Sequence, residues 1–282
     1  MRKVKIITAD EAAKLVKNGD TITTSGFVAS AIPEALNKAV EKRFLETGEP
    51  NNLTLVYCGS QGNKDGRGAE HYAHDGMLKR YIAGHWATVP ALVKMALENK
   101  MEAYNVSQGA LCHLFRDIAA HKPGTFTKVG LGTFIDPRNG GGKVNDITKE
   151  DIIELVNIKG QDYLFYPAFP IHVAMIRGTY ADESGNISFE KEVSPLEGTS
   201  VCQAVKNSGG IVIVQVEKVV KGGTLDPRLV KVPGIYVDYV VVADPADHQQ
   251  TLDCDYDPAL SGGQRRPKVA PGPLPLAAKK VI

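Results

Sequence analysis

Three short stretches place neutral hydrogen-bonding residues beside glycine: Thr24-Ser25-Gly26-Phe27, Gly59-Ser60-Gln61-Gly62 and Ser107-Gln108-Gly109. Each offers small residues, backbone N–H groups and a hydroxyl or amide. None pairs a nucleophile with a base. That combination suits a site that holds a carbonyl or thioester and stabilises an oxyanion. The third stretch poses the sharpest question. Between Tyr104 and Phe115 a strand ends, Gly109 is expected to turn the chain, and a helix begins on Leu111, Leu114, Phe115 and Ile118. Such a corner calls for Gly, Asn, Asp or Ser. It does not call for Gln108, whose amide can donate to and accept from something outside the fold. Glycine-rich loops after strands are also ordinary α/β architecture, so one such loop alone is more often structural than catalytic; three with neutral donors raise the odds.

Other residues carry weaker signals. His71 and His74 have a spacing that could share a helix face, yet no third metal ligand is spaced nearby, and a solvated surface pair is the expectation. Cys112 adjoins His113, but neighbours on a helix point in different directions, so core packing is expected for the thiol. Asp136-Pro137-Arg138 with Gly140 to Lys143, and Lys64 with Arg67, could meet an anion or serve as mobile turn and surface charge. Asp65, Glu70 and Asp136 are the carboxylates available for acid–base work. No G-x-G-x-x-G and no Walker sequence occurs, so a nucleotide fingerprint is absent.

The elements that position these corners follow from local signals. Thr8 with Glu11 forms a capping box for a helix on Ala12, Leu15 and Val16, stopped by Gly19. Asp20–Ser25 and Asn52–Cys58 read as strands, as does the stretch Met101–Val106. Pro33 is expected at the first position of a helix closed by Gly48, and helices are expected at Val89–Lys100 and from Ala110 onward. Strand followed by helix, three times, predicts an open, mainly parallel sheet with helices on both faces. Ligands in such sheets bind at the carboxyl ends of strands near a switch in strand order. Thr148 with Asp151 resembles a cap, followed by a brief helix and then a strand. Val173 to Glu190 reads as two strands around an Asp-Glu-Ser-Gly-Asn turn. Gly198–Gly209 reads as a helix, and Ile211–Val220 and Ile235–Asp244 as buried strands. Residues 1–252 form the expected α/β domain. Residues 253–282, with five prolines, read as a Pro/Gly-rich linker that ends in the start of a helix, Leu276–Ile282. That pattern implies a further half, fused or separate.

The chain has 282 residues, 43% of them apolar, and a formal net charge of +1. The balance argues against nucleic acid or an anionic membrane as the main partner. Four scattered cysteines without a CxxC suggest neither a zinc site nor a disulfide framework, and a reducing compartment is expected. The amino terminus lacks the pattern of a signal peptide, and no window approaches the roughly 18 apolar residues of a membrane span. A cytoplasmic protein without metal is the expectation.

Taken in order, the stretches SGFVASAIPEAL, SQGAL, GLGTFIDPRNGGGK, RGTYADESGNISFE and GGIVIVQVEKVV resemble the amino-terminal half of a family I coenzyme A-transferase, closest to the propionate type and similar to acetate CoA-transferases. The resemblance spans essentially the whole chain. It implies CoA transfer between short acyl groups by a ping-pong route, through an acyl-glutamyl anhydride and a glutamyl-CoA thioester. The nucleophilic glutamate then belongs to a carboxyl-terminal half or β subunit. Coenzyme A and short carboxylic acids are substrates, no cofactor is implied, and the complete enzyme is expected to be a homo-oligomer. Gln108 matches the family's active-site amide, with Gly109 beside it. Gly26 and Phe27 match its glycine loop, where Ser25 stands in place of a frequent second glycine. Gly59 and Ser60 fall where relatives carry an oxyanion-hole asparagine, so a backbone N–H or another donor must serve there, and Gln61 follows. Two other classes remain open: a non-catalytic CoA-binding or assembly module, and a sugar-phosphate isomerase on a similar sheet, which would need a resident carboxylate beside the three loops.

Overall fold

A computed structural model describes residues 3–265. Its strands, in chain order, are β1 (Lys5–Ile6), β2 (Thr21–Thr24), β3 (Leu53–Tyr57), β4 (Leu78–Ala83), β5 (Glu102–Asn105), β6 (Gly124–Thr127), β7 (Glu154–Ile158), β8 (Gln161–Pro167), β9 (Val173–Arg177), β10 (Tyr180–Asp182), β11 (Ile187–Ser188), β12 (Ile211–Val216), β13 (Lys218–Val220), β14 (Val230–Val232) and β15 (Tyr239–Val242). The helices are α1 (Ala9–Ala13), α2 (Glu34–Thr47), α3 (Pro90–Leu97), α4 (Gln108–Ala119) and α5 (Gly198–Asn207).

Eight strands form one sheet in the order β1-β15-β12-β9-β2-β3-β4-β5, and every pairing in it is parallel. The chain enters the middle at β2, moves outward to β5, and returns to β9 on the other side of β2. The strand order therefore reverses between β2 and β9, where open sheets form a ligand crevice at their carboxyl ends. Period-two alternation feeds two cores. Leu55, Tyr57, Met175 and Ile213 face α1, α2 and α3. Val56, Ala174, Ile176, Val212 and Val214 face α4 and α5. This is the open, mainly parallel sheet with helices on both faces that the sequence predicts.

Several local expectations hold. Thr8 and Glu11 make both bonds of the capping box, and Gly48 closes α2 with φ +73°. Others need correction. Pro33 is the N-cap of α2, with a non-helical ψ of 68°, and Glu34 is the first helical residue. Strand β4 escaped the sequence pattern because Lys79 and Arg80 interrupt its apolar run; it pairs with β3 and β5. The segment after Thr148 forms no helix. There β7 and β8 make a hairpin whose last pair is Ile158 with Gln161. The two loop residues, Lys159 and Gly160, have φ of +51° and +80°, as a type I′ turn requires. Thr148 instead accepts a bond at Oγ1 from the Ala103 N–H at 2.8 Å. Residues 142–148 thereby cover the open edge of β5, protecting it from further pairing.

Residues 253–265 form turns without helix or strand. They are tied by bonds such as Asp257 N–H to Gln250 Oε1 at 2.8 Å. The expected helix start at Leu276 and most of the Pro-rich stretch lie outside the described residues.

Candidate active site

The Gln108 corner is built by a serine. Ser107 is the N-cap of α4 in an extended conformation, and its hydroxyl accepts from Ala110 N–H. The expectation that Gly109 turns the chain is corrected: Gly109 lies in the first turn of α4, exposed, with open space around it. Gln108 is the first helical residue. Its side chain is exposed and makes no hydrogen bond among the described residues. The first N–H groups of a helix lack intrahelical partners and carry its positive end. An amide with no duty in the fold therefore stands at an electropositive helix start.

Close backbone approach brings the other corners to it. A Cβ on Gly59 would lie 2.8 Å from Phe27 Cδ2 and 3.7 Å from Gln108 Cδ. Phe27 and Gln108 thus converge on the end of β3, and Phe27 is 42% exposed. Gly84, which sequence reasoning missed, directly follows β4. A Cβ there would lie 2.4 Å from the Cys58 carbonyl oxygen and 2.7 Å from Gln108 Cα. Its N–H donates to that carbonyl at 3.1 Å. The signal was available: a glycine directly after an apolar strand marks close backbone approach, but β4 had to be recognised first.

Three of the expected donors face inward. Ser25 Oγ donates to the Ala31 carbonyl at 2.7 Å and accepts from Arg177 N–H at 2.9 Å. The buried Ser60 hydroxyl pairs with that of Thr88. Gln61, 1% exposed, donates from Nε2 to the Thr24 carbonyl at 2.7 Å and accepts from the Thr24 hydroxyl. These side chains hold the loops; what they offer the crevice in this conformation is backbone. The loop after β2 is strained as well. Val28 has φ +55°, a costly conformation for a β-branched residue. It is pinned by its N–H to the Ser60 carbonyl at 2.7 Å and by Gly62 N–H to its own carbonyl at 2.8 Å. Strain held by its surroundings is common at ligand-binding loops. Behind the loop, the buried Arg177 forks onto Glu192 at 3.0 and 2.7 Å and donates to the carbonyls of Ile32 and Gln249.

The two histidines are not a solvated pair. His71 is buried between two carboxylates, with Nε2 2.9 Å from Glu34 and Nδ1 2.5 Å from Glu41, and His74 Nε2 lies 2.7 Å from Glu41. Both ring nitrogens of His71 face acceptors, so the ring holds both protons. Burial pulls the His71 pKa down, but the hydrogen bonds and charges of Glu34 and then Glu41 outweigh it, and the pKa is raised. Burial pushes Glu34 up, but His71, the Gly68 N–H and Arg67 outweigh it, and the carboxyl is held low. The network fastens the short helical turn Gly68–Tyr72 to α2. Ala69 N–H in turn donates to the Gln61 carbonyl at 2.8 Å, which steadies the loop after β3.

The remaining candidates are engaged elsewhere. Glu70 accepts from Gly66 and Ala91 N–H groups at 2.8 and 2.9 Å. Asp136 accepts from Arg138 and Gly132 N–H, and those bonds hold its carboxyl far below the usual range. Arg138 pairs with Asp136 and Asp162, Lys143 with Asp151, and Arg67 bonds to Gln249 and faces Glu34. Lys64 and Asp65 are exposed. His113 is exposed while Cys112 is half-buried, so they do point apart.

Comparison with known proteins bears on this crevice. The profile of the Coenzyme A transferase family matches residues 6–243. The chain is 46% identical over 279 residues to a caffeate CoA-transferase of Acetobacterium woodii, covering 99% of this chain and 53% of that protein. It is 38% identical over 282 residues to the acetate CoA-transferase YdiF of Escherichia coli K12, with coverage of 99% and 53%. The chain thus spans about half the length of these curated relatives. Among solved structures, the acyl-CoA transferase YdiF of E. coli O157:H7, in a thioester complex with CoA, superposes with a TM-score of 0.89 at 37% identity, covering 95% of this chain and 52% of that one. No helix of the described residues is long and apolar enough to cross a membrane. With a match over most of its length and a parallel sheet that superposes on a solved acyl-CoA transferase, the chain belongs to the Coenzyme A transferase family.

Proposed function

We propose that this chain is the amino-terminal half of a CoA-transferase that moves CoA between short-chain acyl-CoA, such as propionyl- or acetyl-CoA, and short carboxylic acids. The observation that carries this reading is the exposed Gln108 amide, without a hydrogen bond among the described residues, at the start of α4 and against Gly59 and Phe27. In this reading a glutamate of a carboxyl-terminal half attacks the thioester carbonyl. The Gln108 amide, Gly109 N–H and the backbone at Gly59 and Ser60 hold the oxyanion. CoA thiolate leaves an acyl-glutamyl anhydride and then attacks the glutamyl carbonyl. The acyl group departs as its carboxylate, and a glutamyl-CoA thioester remains for the second acid. Ser25, Gly26 and Gln61 shape the loop that receives the substrate, and Phe27 covers it. No step draws on a metal or cofactor. Residues 253–282 would lead to the second half, a reading supported by relatives nearly twice as long. The complete enzyme would be a cytoplasmic homo-oligomer.

The isomerase reading loses support, because Glu70 and Asp136 are engaged by backbone and Arg138. The test uses residues 1–282 alone and with a carboxyl-terminal half supplied. The chain alone should not transfer CoA from propionyl-CoA to acetate, and addition of the second half should restore transfer. The thioester, trapped with borohydride or hydroxylamine, should map to a glutamate on the added half. Trapping on any residue of this chain, or CoA binding without transfer by the pair, would refute the proposal.

A further inference from the structure

Beneath the Gln108 corner lies a group of side chains that the CoA-transfer reading does not use. Cys58 follows β3 directly and precedes Gly59. Cys112 stands one turn along α4 from Gln108. Glu197 is the residue before α5. The two sulfurs and a carboxylate oxygen all lie within 4.8 Å of one another. Cys112 Sγ donates to Glu197 Oε1 at 2.9 Å. A cavity of about 20 Å³ adjoins Cys58 and Glu197, walled by Phe115, Leu196 and Val201. That is room for roughly one water-sized occupant.

We propose that Cys58, Cys112 and Glu197 form a binding site for a thiophilic divalent cation of the zinc class. Two thiolates and a carboxylate are a donor set such ions take, with a fourth position open to water in the small cavity. Tetrahedral coordination with metal–sulfur bonds of about 2.3 Å needs sulfurs roughly 3.8 Å apart, so the side chains need move little. Binding replaces the two thiol protons, which leave to solvent as the two metal–sulfur bonds form. The hydrogen bond with Cys112, then burial, raises the Cys58 pKa, so without a cation this thiol stays protonated and inert. The bound centre carries one net negative charge, and Arg116, whose charge acts favourably on the Cys58 thiolate, offsets it.

The test titrates the reduced, chelator-treated chain with Cd²⁺ and then Zn²⁺. One ion per chain should bind, with thiolate-to-cadmium charge-transfer absorption, release of two protons and a rise in Tm. Cys112→Ser, at a half-buried position, should abolish the one-to-one site. Cys58→Ser should do the same if it folds. Glu197→Gln should keep the absorption but weaken affinity at least about tenfold, since even outer-shell partners matter by that much. Cys254→Ser, which removes a thiol outside the group, should change nothing. No charge-transfer band in the wild type, a band that survives Cys112→Ser, or one lost in Cys254→Ser would overturn the proposal. So would peroxide-driven Cys58–Cys112 disulfide formation in a chain that binds no cation.

Discussion

Gly84 gives the most direct access to the link between the sheet and the site. Gly84→Ala adds one methyl group where ordinary contact begins near 3.4 Å, but the Cys58 carbonyl oxygen would be 2.4 Å away and Gln108 Cα 2.7 Å away. Both obstacles are at or next to the main chain, so no side-chain rotation relieves them. The end of β3 and the start of α4 must separate by about 1 Å, and overpacking of this kind costs about 1–3 kcal/mol. A displacement of that size at a positioning element reduces turnover by roughly 10²-fold. The assay is CoA transfer with the carboxyl-terminal half supplied, read beside the urea midpoint. Gly109→Ala is the counterpart one residue past Gln108. Nothing lies within 4 Å of a Cβ there, and an alanine inside a helix stabilises by about 0.5–1 kcal/mol relative to glycine. If Gly84→Ala keeps both turnover and midpoint, the close approach of the β4 end to Gln108 is not what places the amide.

Gln108→Ala should lower kcat by roughly 10²-fold, as for one lost oxyanion donor, with no loss of Tm, because the side chain makes no hydrogen bond among the described residues; turnover within twofold of wild type would remove it from the site. Arg177→Met should cost about 3–5 kcal/mol by leaving Glu192 buried without its partner, and a second change of Glu192 to Leu should recover part of it; a urea midpoint unmoved by the single change would contradict this. His71 adds stability that is fully present below its ordinary pKa of 6.5 and fades as pH rises through its raised value in the fold. Glu34 adds stability present above its ordinary 4.5 and lost as pH falls through its lowered value. The stability gap between wild type and His71→Gln should therefore shrink on the alkaline side, and a gap that widens as pH rises would exclude a charged His71.

Much of the architecture is written in local pattern. The β-branched run Ile211–Val214, continued by Val216 after Gln215, announces a strand covered on both faces, and Thr8 with Glu11 fixes a helix start within four residues. Gln108 stands out for the same reason: an amide at a corner that needs none is an anomaly visible without tertiary contacts, and the fold places it exposed at the start of α4. The family resemblance came from stretches of sequence in order, and the sheet agrees with it. Which side chains face the crevice was not legible. Ser25, Ser60 and Gln61 have the chemistry of substrate donors, but Arg177, Thr88 and Thr24 reach them first, from distant segments or across neighbouring strands. Histidines with the spacing of a surface pair became a partly buried hydrogen-bond network because α2 brings Glu34 and Glu41 to them. Gly84 and the meeting of Cys58, Cys112 and Glu197 depend wholly on strand order. Burial, period and turn chemistry act between near neighbours and so leave their mark in the sequence. A hydrogen bond or close approach between remote segments is decided only when the sheet sets them side by side.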